Sequence, residues 1–164
     1  MLCNRRSVLV FLAALPAAGC GFTPVYRQDG AAAGLQGQVR INVIEGRDGY
    51  DLVTALEAQL GAASPDARYA LHINLDVSEE SLILDVLKGI TRYTLNGKVK
   101  LSLRALDSGK EVFTDKLRET VAYSGTAETA QTDAARRAAH KRLMQVLAER
   151  IALRLATTAQ SWTS

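Results

Sequence analysis

The regular alternation of apolar and polar residues over two long stretches constrains this chain more than any other feature of its sequence. From residue 69 to 77, and again from 93 to 103, the large apolar side chains keep to odd-numbered positions. Since neighbouring side chains of a strand point to opposite faces of a sheet, both stretches predict strands with one buried and one exposed face. Asn96-Gly97 is typical of a hairpin turn, yet the apolar phase continues beyond it, which favours one long strand with a bulge at Gly97.

The flanking segments predict the elements on either side of this pair. A short alternation at 39–43 predicts a first strand, and the run 46–49 predicts a turn. Asp51 then stands where it can cap a helix that ends near Gly61. Asp107-Ser108-Gly109 predicts a turn before a fourth strand over about 112–123.

The C-terminal part changes to helical spacing. From about residue 127 to 159, one apolar stripe recurs at every fourth position: Leu143, Leu147, Ile151 and Leu155. The order β-α-β-β-β-α predicts a single α+β domain over residues 39–160, with a four-stranded mixed or antiparallel sheet and two helices on one face. The helical crossover makes the first two strands parallel neighbours or separates them.

The first twenty residues are typical of an exported lipoprotein. Arg5-Arg6 precede an apolar run at 8–15, which is too short to span a bilayer, and small residues then lead to Cys20. This cysteine resembles the lipidated one of the bacterial lipobox, although Ala17 stands where leucine is usual. We therefore expect a signal peptide over 1–19, a lipidated Cys20 and a flexible tether over 20–38; the alternative is an ordinary signal peptide with an incidental cysteine.

Positive charge is concentrated in the C-terminal half. Residues 21–85 carry a net charge of −6, and residues 86–164 carry +7. The candidate contact residues lie on or before the third strand and on the last helix: Lys88, Arg92, Lys98, Lys100, Arg104, Arg136 and Arg137. Lys98, Lys100 and Arg104 occupy even positions, so they should project from the exposed sheet face. Such clusters suit phosphate groups, and the alternative interpretation is an ordinary solvated surface.

The sequence offers little for catalysis, cofactors or metals. It has two cysteines and two histidines, His72 and His140, and neither histidine lies in a metal-ligand spacing. No nucleophile elbow or glycine-rich phosphate loop occurs, so we expect no enzymatic activity, no cofactor and no metal. Nucleic acid is disfavoured too, because aromatic residues make up only 5% of the chain and the basic strand has no stacking platform.

The start Cys20-Gly21-Phe22-Thr23-Pro24-Val25-Tyr26, together with the β-α-β-β-β-α order, resembles the LptE family of lipopolysaccharide-assembly lipoproteins in its alphaproteobacterial form. The resemblance implies a non-enzymatic protein that sits in the lumen of the LptD β-barrel, helps it assemble and contacts lipopolysaccharide. The candidate basic residues would then contact either lipopolysaccharide or the barrel. Gly21, in place of an aspartate, implies sorting to the periplasmic side of the outer membrane.

Segment 79–89 is unusually apolar for a connection between strands. Its large apolar residues are Leu82, Ile83, Leu84, Val86 and Leu87. Two interpretations stay open: a loop that faces the barrel or lipid, or a structural segment that extends the second strand or forms a short helix. For the protein as a whole, the alternative function is an auxiliary lipoprotein of an ABC-type lipid transport system.

Overall fold

The computed structural model describes residues 33–85, 90–125 and 129–162. Its helices and strands follow the predicted order: β1 (Val39–Ile41), α1 (Gly46–Leu60), β2 (Tyr69–Asp85), β3 (Ile90–Ala105), β4 (Glu111–Gly125) and α2 (Thr129–Thr158). Short 3-10 turns precede β1 at Ala33–Leu35 and follow α2 at Ala159–Ser161. Neither α1 nor α2 contains a stretch apolar and uncharged enough to cross a membrane.

The four strands form one mixed sheet in the order β1-β2-β3-β4. β1 runs parallel to β2, while β2, β3 and β4 are antiparallel to their neighbours. β1 is short, but the side-chain oxygen of Asn42 accepts a hydrogen bond from the backbone N–H of Ile73 at 2.8 Å and prolongs the contact with β2. The predicted α+β class is confirmed, and of the two arrangements left open for the first two strands the structure has parallel neighbours.

The core lies between the sheet and the two helices. Leu71, Leu95 and Leu103 from odd strand positions are fully buried, and so are Leu143 and Leu147 from the predicted stripe of α2. The domain also includes residues that the sequence assigns to the tether, because Leu35 is only 1% exposed and belongs to this core.

Gly97 lies in an unbroken strand, so the single-strand interpretation is confirmed. The predicted bulge at this residue is wrong, because neither strand pair shifts its register there. The pairing of β3 with β4 shifts between Leu103 and Arg104, and the pairing of β2 with β3 shifts between Ile83 and Asp85. A Cβ on Gly97 would lie 2.9 Å from Leu147 Cδ1. The glycine therefore permits close approach of α2 to the sheet.

The predicted turn at 46–49 is also wrong, because these residues form the first turn of α1. Gly49 is buried, and a Cβ there would lie 2.5 Å from the carbonyl oxygen of Ile44. The imidazole of His140 on α2 contacts Asp48 in the same turn. This tertiary contact with His140 stabilises a helical turn whose glycines by themselves favour a loop.

The described part of segment 79–89, residues 79–85, is an extension of the second strand. β2 continues to Asp85, and its last residues pair with the start of β3, as in Leu82 with Arg92. The interpretation of residues 79–85 as a loop is therefore wrong. Residues 86–89 lie outside the described residues.

Candidate functional site

The open face of the sheet carries a compact group of four cations. Lys98 and Lys100 on β3 stand directly opposite Arg118 and Lys116 on β4, and all four side chains are exposed. Directly opposite Cβ atoms in an antiparallel pair are about 5 Å apart, and positions two apart along a strand are separated by roughly 7 Å. We call these four residues the basic quartet.

The basic quartet has little opposing charge around it. The Lys98 ammonium lies 4.0 Å from the Asp76 carboxylate, in a pair whose side chains are 49% and 66% exposed. Within the described part of the chain, Lys100, Lys116 and Arg118 form no ion pair. Like charges directly opposite one another destabilise a sheet, so this arrangement is suited to an anion that lies across both strands.

Arg104 and Arg92 lie on the same face but outside the quartet. Arg104 pairs in register with Glu111, whose carboxylate accepts a hydrogen bond from the Ser102 hydroxyl. Arg92 is six residues from Lys98, about 20 Å along the strand, and its β2 neighbour Leu82 is 63% exposed. Both arginines are exposed and extend the basic surface along β3.

Arg136 lies on the opposite side of the sheet. Its Nε donates to Glu79 Oε2 at 2.9 Å, and the Tyr123 hydroxyl donates to Glu79 Oε1 at 2.9 Å. Partial burial and the adjacent Glu79 carboxylate raise the pKa of Tyr123 to about 12. The charge of Arg136 is therefore countered within the fold, and the structure does not bring the helix set and the strand set together.

Arg137 lines a separate cavity of about 300 Å³ between α1 and α2. The other lining residues are Arg47, Asp48, Asp51, Arg136 and His140. His140 Nδ1 lies 2.9 Å from Asp48 Oδ2, so this histidine lies at a helix interface, whereas His72 is exposed on the open sheet face. Because carboxylates and guanidinium groups mix here, the cavity lacks the uniform charge of the basic quartet.

Lys116 and Arg118 are the site residues that the sequence reasoning missed. Their signal was present, since both occupy even positions of a strand whose large apolar residues from 113 to 123 are at odd ones. What was lacking was the register that sets them directly opposite Lys100 and Lys98. Two predicted sites, Cys20 and Lys88, lie outside the described residues, and no group of His, Cys, Asp and Glu within the described ranges could hold a metal ion.

One comparison with known proteins identifies the family, and another identifies structures with the same fold. Residues 36–155 match the family model of LptE, described as lipopolysaccharide-assembly. The fold is similar to that of a lipoprotein from Caulobacter crescentus CB15, which is 25% identical with a TM-score of 0.65 over 77% of this chain and 93% of that chain. No curated protein sequence matches the chain.

Two more distant structures share the fold alone. A minor lipoprotein from Acinetobacter baumannii is 16% identical with a TM-score of 0.55, over 73% of this chain and 92% of that chain. The rare lipoprotein B from Shewanella oneidensis is 17% identical with a TM-score of 0.53, over 74% of this chain and 93% of that chain.

Proposed function

The chain belongs to the LptE family of non-enzymatic lipopolysaccharide-assembly proteins, and we propose that it partners and plugs the β-barrel of LptD. In this role it assists the passage of lipopolysaccharide to the outer leaflet. A lipid on Cys20 anchors it to the periplasmic side of the outer membrane, since acyl chains contribute about 0.8 kcal/mol per buried methylene to membrane binding.

The basic quartet is the observation that supports direct contact with lipopolysaccharide. A phosphate group between Lys100 and Lys116 accepts charge-assisted hydrogen bonds from both ammonium groups. It also removes their mutual repulsion, so the bound state gains in two ways. Arg92 and Arg104 lie along the same strand face and provide contacts for further anionic groups of the same ligand.

The direct test measures lipopolysaccharide binding by the chain from residue 20 onward, with Cys20→Ala so that no lipid is attached. We expect the double variant Lys100→Gln/Lys116→Gln to weaken binding by at least about tenfold, because hydrogen bonds to charged groups contribute about 1.5–3 kcal/mol each. The matched control is Lys141→Gln/Arg142→Gln, which removes the same charge from exposed positions of α2. Equal weakening by both double variants would show a dependence on net charge alone and contradict the assignment.

The barrel partnership is tested by purifying the lipidated protein from outer membrane and identifying what accompanies it. Recovery of a large, heat-modifiable β-barrel is expected. The exposed Leu82, near the end of the β2–β3 hairpin, is the proposed contact on this side, so a photo-crosslinking residue at this position should capture the barrel. Recovery of an ABC-transporter component in its place would favour the alternative function.

A further inference from the structure

The outer edge of β4 is a long strand edge without a partner among the described residues. β4 spans Glu111–Gly125 and pairs with β3 on one side only, as the last strand of the sheet. A strand in this position presents a row of unpaired N–H and C=O groups that can template another strand. The opposite edge, β1, has only three residues, so β4 is the main edge of this domain.

β4 is held firmly in an extended conformation by α2. The Arg150 and Arg154 guanidinium groups donate to Glu119 and Asp115 at 2.7 Å each. The bond from Arg154 holds the pKa of the Asp115 carboxyl below its usual value, and Leu117 between the two acids packs against the core. A partner strand therefore meets an ordered edge, which lowers the conformational cost of binding.

The charges of β4 oppose pairing with a second copy of the same edge. In a two-fold antiparallel pair, residues on the same face stand opposite one another, so the registers that pair most of the strand are those about residues 117, 118 and 119. The first places Lys116 opposite Arg118, the second Arg118 opposite Arg118, and the third Glu119 opposite Glu119. Each register brings like charges directly opposite one another, which destabilises the pairing.

We propose that the β4 edge binds an extended acidic segment of a protein partner by strand addition. Carboxylates at alternate positions of that segment lie opposite Lys116 and Arg118 on the open face and form cross-strand ion pairs. The segment's backbone completes the hydrogen bonds of the edge. This site recognises a peptide through the backbone edge of β4 and goes beyond the proposed contact with lipopolysaccharide, with which it shares the Lys116 and Arg118 side chains but not the edge.

The test uses a fluorescent peptide of about eight residues, an ordinary strand length, in which glutamate alternates with threonine. Binding to the chain carrying Cys20→Ala is followed by fluorescence anisotropy without lipopolysaccharide, so failure here leaves the lipopolysaccharide proposal untouched. Wild type is expected to bind this peptide and not its lysine–threonine counterpart. Lys116→Glu/Arg118→Glu should weaken binding by about tenfold or more, because two favourable pairs become unfavourable, and should bind the lysine–threonine peptide instead.

Backbone pairing is tested with two peptides that are N-methylated at alternate residues, in opposite phase. Because only every second N–H of an added strand faces the edge, one peptide should lose binding and the other should retain it. Lys98→Glu/Lys100→Glu, one strand further in, should affect binding less than the β4 variant. Equal binding of the two methylated peptides, absence of binding to wild type, or failure of the charge swap in a variant with native circular dichroism would each overturn strand addition.

Discussion

Charges are arranged differently on the covered face of the sheet, which packs against the helices, and on its open face, and β4 contributes charged residues to both. At its odd positions Asp115 and Glu119 face the helix layer and bind arginines of α2 at 2.7 Å. At its even positions Lys116 and Arg118 face outward, opposite cations of β3. The charges on the covered face form ion pairs that link α2 to β4, whereas those on the open face repel one another and are available to bind anions.

The largest expected difference between the two faces is in the free energy of unfolding that is lost when a leucine on each face is replaced by alanine. Leu95→Ala removes a side chain that is fully buried on β3 and should lower the free energy of unfolding by about 2–5 kcal/mol. Leu82→Ala makes the same change at a residue that is 63% exposed on the open face, and should change it by less than about 0.5 kcal/mol. Chemical denaturation of both variants checks this, and similar losses would mean that the open face is covered.

A smaller effect is expected from the charged network on the covered face. Glu79→Gln weakens the hydrogen bonds to Arg136 and Tyr123 and should lower the free energy of unfolding by about 1 kcal/mol. It should also lower the pKa of Tyr123 below its present value of about 12, although partial burial keeps some of the shift. An ultraviolet titration of the phenolate measures this pKa, with Tyr123→Phe as the control that removes its signal.

The raised pKa of Tyr123 also sets a pH dependence. Because the folded-state pKa of about 12 exceeds the ordinary value of 10.0, folding favours the protonated phenol. The stabilisation is fully present below pH 10 and is lost as the pH rises through the folded-state pKa. Because Glu79→Gln lowers the folded-state pKa, the free energy of unfolding should fall less between pH 10 and pH 12 in this variant than in the wild type. Chemical denaturation at both pH values measures the two losses, and equal losses would contradict the role of Glu79.

The smallest effect should have the opposite sign. Lys100→Gln/Lys116→Gln removes a like-charged pair from the open face and should raise the free energy of unfolding by about 0.2–1 kcal/mol at low ionic strength. The gain should shrink as salt is added, because salt screens exposed charges. Lys141→Gln/Arg142→Gln serves as the control. A lower free energy of unfolding in the Lys100→Gln/Lys116→Gln variant would mean that these two lysines make stabilising contacts, and would contradict the description of the quartet.

Much of this fold follows from local patterns that a single sequence displays. The odd-numbered phase through Gly97 correctly predicts one strand because the alternation depends only on the geometry of an extended chain. The turn predicted at 46–49 fails because glycine preferences are local, whereas the contact of Asp48 with His140 is tertiary. Of the basic quartet, Lys98 and Lys100 are candidates from the sequence, whereas their β4 partners emerge only from the strand register.

The sequence by itself determined which side of each strand is apolar, where the charges lie along the chain and that the fold is α+β. Only the tertiary structure decided which charges meet, because register and helix placement join residues far apart in the chain. It paired Arg136 with Glu79 on the covered face, and it set Lys100 opposite Lys116 on the open one. Side-chain periodicity is a property of one strand, whereas an anion-binding surface depends on the alignment of two.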